Sequence, residues 1–222
     1  MENCDIAATV MKRLQERYPK AGTELNWENP WHLLVSTILA TQCTDKRVNQ
    51  VTPVLFSRWP TIQSLAEADT SEVEKVIRST GLYRNKSKNL VSTAQKLVND
   101  FNAKVPSNMQ ALLTLPGVAR KTANIVLSQG FSINSGIAVD THVNRISNRL
   151  GLTNSQDQNK VERDLQAVFP RDLWGELNLL FVTFGREICT ARSPLCSGCP
   201  LRDICPTGNN RIYSANTQSS PE

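Results

Sequence analysis

The chain is predicted to be all-α. Apolar residues return every three or four positions through most of its length, no convincing run alternates with the period of two that a strand requires, and glycines and prolines fall mostly between the periodic stretches. Together these observations give about ten short helices joined by tight turns, without an internal repeat.

Each element has its own signal. Trp31, Leu34, Val35, Ile38 and Leu39 share one helical face, as do Leu90, Val91, Ala94, Leu97, Val98 and Phe101 further on. Between these stretches Asp69 or Thr70 offers an N-cap for a segment that ends at Gly81. Ser107 offers a cap to the next helix, and a helix beginning near Asp140 stops at Gly151. After Cys205 the composition turns to Thr, Gly, Asn, Ser and Gln, so residues 207–222 are expected to form a disordered tail.

With 222 residues and 40% hydrophobic content, the chain can fill one large domain or two small interleaved ones. Its least charged stretch, from Asn29 to Thr44, is shorter than the roughly 20 apolar residues needed to span a bilayer, which argues against a membrane protein. The opening residues Met1 to Asp5 have no basic region followed by an apolar run, so no secretory signal is visible and a cytoplasmic location is expected.

The net charge of +5 is unevenly spread. Between Arg84 and Gly151 nine basic residues face only Asp100 and Asp140, a local balance of +7, while both flanks are slightly acidic. A polyanion would bind there, although charge alone fits a solvated basic face equally well.

Leu115-Pro116-Gly117-Val118-Ala119-Arg120-Lys121-Thr122-Ala123 reads as helix, hairpin, helix, with Pro116-Gly117 breaking the first helix and Arg120 opening the second. Such a turn can present backbone N–H groups to a phosphate at a helix N-terminus, and Gly117 lets a backbone come close. The same letters also describe an ordinary helix–helix turn. Downstream, Asp140 precedes the apolar-periodic Val143, Ile146 and Leu150, where a carboxylate caps a helix. His142 reads as a packing or hydrogen-bonding residue.

Four of six cysteines crowd the last fifth of the chain, as Cys189, Cys196, Cys199 and Cys205, with six, two and five residues between them. In a reducing compartment such a group reads as metal ligands, and four thiolates suit either a structural zinc or a [4Fe-4S] cluster. Spacing barely separates the two.

The Leu-Pro-Gly-Val-x-Arg-Lys-Thr-Ala hairpin, then Val139-Asp140-Thr141-His142, then the terminal cysteines, resembles the helix-hairpin-helix DNA glycosylases of the endonuclease III type. The resemblance runs from about Thr23 to Cys205. It implies a two-domain fold: a six-helix barrel with the hairpin at residues 23–134, and an iron-sulfur cluster domain built from 1–22 and 135–206. It also implies base-excision repair: removal of oxidised pyrimidines from duplex DNA, with abasic-site lyase activity through a lysine Schiff base.

Lys121 matches the family's nucleophile. Its amine, as the free base, can attack the sugar C1′, expel the base and leave a Schiff base that promotes β-elimination, which calls for a dry pocket or a nearby base. Otherwise the residue is a solvated surface lysine. Asp140 matches the essential carboxylate, which would stabilise positive charge on the sugar, in addition to its capping role. Gln42 would fill the position vacated by an extruded nucleotide and Leu82 would wedge beside it. Without the resemblance, both are residues that finish a helix end. Gly117, Ala119, Arg120, Arg145 and Arg192 are the remaining expected DNA contacts, and the four cysteines are expected to hold a [4Fe-4S] cluster.

Three features depart from the pattern. Ala119 stands where a second glycine is common, and it needs only an allowed φ to keep its N–H available. Ser193 and Leu195 replace basic residues in the loop that keeps Arg192, so non-specific DNA affinity is expected to fall by one or two phosphate contacts. Phe184 occupies a position where histidine is familiar. A monomer bound to damaged or abasic duplex DNA, associated with the nucleoid of a bacterial cell, is the expected state. The competing readings are a monofunctional mismatch glycosylase, against which Lys121 argues, and a non-catalytic DNA-binding module with structural zinc.

Overall fold

The computed structural model describes residues 3–209. Its α-helices are, in chain order, α1 (Asn3–Arg17), α2 (Pro30–Leu39), α3 (Asp45–Arg58), α4 (Ile62–Ala66), α5 (Thr70–Ile77) and α6 (Tyr83–Phe101). They continue with α7 (Met109–Leu113), α8 (Arg120–Ile125), α9 (Thr141–Leu150), α10 (Gln158–Val168) and α11 (Trp174–Glu187). Short 3-10 and π turns complete the regular structure, and no strand occurs among the described residues. The chain divides into two compact units, residues 23–135 and residues up to 22 together with 136 onward.

In the 23–135 unit the central element is α2. Asn29 caps it, accepting from His32 N at 2.9 Å, and Pro30 occupies the first turn, where no N–H is needed. Trp31 and every residue from Leu33 to Leu39 are buried, so the helix within the least charged stretch of the chain is enclosed on nearly all sides. Around it pack Val48, Leu55, Leu65, Ile77, Leu90, Leu97, Leu112 and Leu127. Each such side chain contributes roughly 1.5–3 kcal/mol when fully buried.

Asp69 caps α5 by accepting from Ser71 N at 2.8 Å. The cap expected at Ser107 falls one residue later, because the Asn108 carboxamide accepts from Ala111 N at 2.9 Å. The long helix α6 is bounded by two left-handed residues, Leu82 and Asn102, and after it Ala103 N donates back to Leu97 O at 2.8 Å.

The other unit is built on α1, whose Ala7, Val10, Met11 and Leu14 form one buried stripe against α10 and α11. Asp140 caps α9 and Gly151 ends it at φ 74°. α9 and α11 approach closely at Gly185, where an added Cβ would stand 2.6 Å from His142 Nδ1 and 2.9 Å from an Arg145 nitrogen. The neighbouring Phe184 is fully enclosed in this unit's core, which gives the unfamiliar residue a packing role.

Residues 206–209, which sequence composition assigns from 207 onward to a disordered tail, instead continue as a helical turn, with Asn209 N donating to Cys205 O at 3.1 Å. The rest of that expected tail, 210–222, lies outside the described residues.

Candidate active site and metal centre

The hairpin occupies the six residues between α7 and α8. Leu115 and Val118 are buried and anchor it, with Val118 N donating to Leu115 O at 3.1 Å. Thr93 of α6 holds its apex by donating to Pro116 O at 2.8 Å. Gly117 is required twice over: its φ is 77°, and a Cβ there would meet the Asn89 side chain at 2.7 Å. Ala119 is extended at φ −91°, an ordinary conformation for alanine, and caps α8 with no side-chain hydrogen bond. The first N–H groups of α8 therefore lack intrahelical acceptors, and the positive end of the peptide dipoles points the same way. Lys121 is the second residue of this helix and its side chain is exposed. The dry surroundings expected for it are not supplied by neighbouring side chains, because a residue in an opening turn projects away from the packed face that holds Thr122, Ala123 and Asn124.

In the other unit, one oxygen of Asp140, Oδ1, accepts from His142 N at 2.9 Å and Val143 N at 2.8 Å. The second oxygen has no hydrogen-bond donor among the described residues, and the half-buried side chain borders a polar groove with Asn144, Asn148 and Gln156. The cap thus uses half of the carboxylate and leaves half available. The peptide leading into Asp140 is held by two buried residues: Glu162 accepts from Ile137 N at 3.1 Å, and Asn178 donates to Ala138 O at 2.7 Å.

Gln42 and Leu82 share an unusual backbone. Both are non-glycine residues at positive φ, 53° and 47°, and both are exposed, Leu82 by 51%. Left-handed conformations in ordinary residues carry strain of about 1–3 kcal/mol and cluster at functional sites.

The basic segment is less exposed than its charge count suggests. Lys86 is 4% exposed, and Arg145 and Arg149 are half-buried with their guanidiniums engaged by backbone carbonyls. Arg145, expected to touch DNA, donates to Cys189 O at 3.1 Å and Gly185 O at 3.1 Å while still bordering the polar groove beside Asp140. The exposed members include Arg84, Lys88, Lys104, Arg120 and Lys121.

The four cysteines line one apolar cavity with Ile146, Leu150, Phe184, Ile188 and Leu201. Three sulfurs receive donors: Cys189 from Arg149 at 3.2 Å, Cys199 from Leu201 N at 3.4 Å and Cys205 from Gly208 N at 3.3 Å. Burial pushes the Cys199 thiol up to about 11 and also raises that of Cys205, while those N–H donors pull back and the other cysteines add to the rise. Four clustered thiolates in so dry a place need a cationic centre, which iron would provide. Four thiolates around one cavity suit a structural zinc or an iron-sulfur cluster alike.

Sequence reasoning missed the arginines that build this centre. Arg149 donates to Thr190 O and Ala191 O, both at 2.8 Å, besides the Cys189 sulfur. Arg13 of α1 donates to Pro200 O at 2.8 Å and grips Asp203 through both carboxylate oxygens. The spacing of Arg145 and Arg149, four residues apart on one helical face, was the only trace of this in the sequence. Arg192 lies exposed in the loop between the first two cysteines.

Residues 35–171 match the model of the HhH-GPD superfamily of base excision DNA repair proteins, and residues 189–205 match that of the iron-sulfur binding domain of endonuclease III. The chain belongs to the HhH-GPD superfamily of base excision DNA repair proteins. It is 48% identical to endonuclease III of Synechocystis sp. over 90% of this chain and 92% of that one. A solved non-covalent endonuclease III–DNA complex matches with TM-score 0.89 and 38% identity, covering 96% of this chain and 99% of that one. A trapped endonuclease III–DNA covalent intermediate matches with the same TM-score, identity and coverage. Within the superfamily the chain accordingly falls with the endonuclease III enzymes, as a base-excision DNA glycosylase with the abasic-site lyase activity expected of that group and a [4Fe-4S] cluster. Cys189, Cys196, Cys199 and Cys205 would hold that cluster, which supplies a covalent cross-link across the loops it joins.

Proposed function

We propose that the chain removes oxidised pyrimidines from duplex DNA and cleaves the resulting abasic site through Lys121. The observation that carries this reading is the placement of Lys121: exposed, in the opening turn of α8, immediately after a hairpin whose glycine no other residue can replace without strain. The backbone N–H groups of Gly117 and Ala119 would hold a phosphate, and the adjacent amine would face the sugar of the same strand. Bound DNA, rather than the protein, would supply the dry surroundings. As the free base, the Lys121 amine forms a bond to C1′ while the glycosidic bond breaks and the base leaves with a proton. The nitrogen lone pair then opens the C1′–O4′ bond, O4′ taking a proton from water, and the iminium so formed acidifies C2′; loss of that proton breaks the C3′–O bond and expels the 3′ phosphate.

Asp140, through its free carboxylate oxygen, would stabilise positive charge that develops on the sugar during departure of the base. Gln42 and Leu82, held outward by strained backbone, would fill and wedge the stack around the extruded nucleotide, and Arg192 would touch the backbone. Ser193 and Leu195 beside it carry no charge, so the loop offers fewer phosphate contacts than a basic one. We take the active form to be a monomer, located in the cytoplasm with the nucleoid. No described helix is long and apolar enough to cross a membrane.

Borohydride trapping on a duplex with one abasic site tests the central step, with Lys121→Ala and Lys121→Gln beside the unaltered protein. A covalent adduct that both substitutions abolish is expected. Clear DNA binding without any adduct would sink the lyase mechanism and leave a monofunctional glycosylase.

A further inference from the structure

One buried charge in the 23–135 unit has no part in the proposed chemistry. Lys86 of α6 is 4% exposed, and its Nζ donates to Leu39 O at 2.8 Å and Thr80 O at 2.7 Å. Among the described residues no carboxylate pairs with it. Burial pulls its pKa below the ordinary lysine value, opposed by the Cys43 thiol nearby.

The two acceptors explain how the charge is tolerated. Leu39 is the last residue of α2, and Thr80 is the last residue of the 3-10 turn Arg78–Thr80. Both are terminal carbonyls without an intrahelical donor, and both sit at the negative end of aligned peptide dipoles. An ammonium between them satisfies two orphan acceptors at once.

The segments that leave these two carbonyls are the more telling feature. From Leu39 the chain reaches Gln42 in three residues, and from Thr80 it reaches Leu82 in two. These are the two exposed residues at φ 53° and 47°. Lys86 is also tied to the second loop through its own backbone, since its N–H donates to Leu82 O at 3.0 Å. One side chain therefore fastens the roots of both strained loops, which are about 40 residues apart in sequence.

We propose that Lys86 is a positioning residue that fixes the Gln42 loop and the Leu82 loop in one shared frame. The use of that frame, presenting two side chains together to a DNA stack, rests on the proposed roles of Gln42 and Leu82. A compact ammonium suits the task because it reaches two carbonyls at different angles, whereas a methionine of similar length would leave both unpaired.

The test uses the full cluster-loaded chain and compares Lys86→Met, Lys86→Gln and Lys86→Arg with the unaltered protein. Amide hydrogen exchange in residues 40–44 and 80–84 is expected to rise about tenfold or more in Lys86→Met, while the hairpin residues 115–121 stay protected. Lys86→Gln, a gentler change that keeps a donor for one carbonyl, should fall between, and Lys86→Arg should restore most of the protection. Unchanged exchange in both loops, or equal loosening of the whole unit, would overturn the proposal.

A second arm measures binding to a duplex carrying a tetrahydrofuran abasic analogue. Leu82→Ala should weaken binding about tenfold in the unaltered background and by less than about twofold beside Lys86→Met, the non-additivity expected when one residue acts through another. Equal losses in the two backgrounds would show that Lys86 does not act through the loops and overturn the proposal. Normal binding by Leu82→Ala in the unaltered background would instead defeat the wedge reading, and the exchange pattern would then decide the role of Lys86 without it.

Discussion

In the 23–135 unit a single ammonium gathers two helix-terminal carbonyls and fixes two loops, with an apolar core closed around it. In the other unit three guanidiniums do comparable work: Arg145 and Arg149 gather the carbonyls from Gly185 to Ala191, and Arg13 holds Pro200 and Asp203. The first arrangement is complete within the protein. The second surrounds four half-buried cysteines, which would hold the cluster as thiolates. A loop can thus be fixed by cation–carbonyl hydrogen bonds alone where the core is apolar and closed, whereas a segment made almost wholly of turns needs a metal cross-link as well.

The largest expected effect separates the two units directly. Cys199→Ser should cost the protein its yellow-brown colour and most of the order of residues 189–209, since metal binding in such segments contributes on the order of 10 kcal/mol to folding. Amide exchange should rise throughout that segment and leave α2 and α6 protected; equal loss in both units would show that the units do not fold independently.

Next in size is Arg149→Met, which keeps the stem of the side chain and removes its hydrogen bonds to Cys189, Thr190 and Ala191. A loss of about 2–4 kcal/mol is expected in urea unfolding, together with faster iron release to a chelator. Retention of iron at the unaltered rate would mean that the cysteines hold their loop unaided.

The smallest change falls in the unit that needs no metal. Gly117→Ala should cost about 1–3 kcal/mol through its positive φ and the contact with Asn89, and should weaken binding to undamaged duplex DNA. Adding Asn89→Ala should recover only the part due to the Asn89 carboxamide, leaving the backbone strain and the approach of its Cβ at 3.0 Å. Complete recovery would show that the positive φ itself is inexpensive here.

Much of this molecule is legible in its sequence. The helical period of the apolar residues, the caps at Asp69 and Asp140, the stop at Gly151 and the helix, hairpin, helix reading of residues 115–121 all depend on interactions within a few residues, so they are written locally. The clustered cysteines are legible for the same reason. The Ser107 cap missed by one residue because two adjacent side chains could serve and only the turn's geometry chose Asn108.

The proposed site divides along the same line. Gly117, Ala119, Lys121 and Asp140 take their positions from the residues beside them, so the sequence by itself determined which group stands at which helix terminus. Which cations face solvent was decided only by tertiary structure: Lys86, Arg145 and Arg149 count as basic surface in any sum of charges, yet each is turned onto carbonyls contributed by distant segments. The positive φ of Gln42 and Leu82 was likewise invisible, because neither residue favours it and the anchoring comes from a lysine elsewhere in the chain. Local sequence sets propensity and periodicity, but the pairing of a buried cation with orphan carbonyls depends on which chain ends the packed core brings within about 3 Å of it, a distance set by every side chain in that core at once.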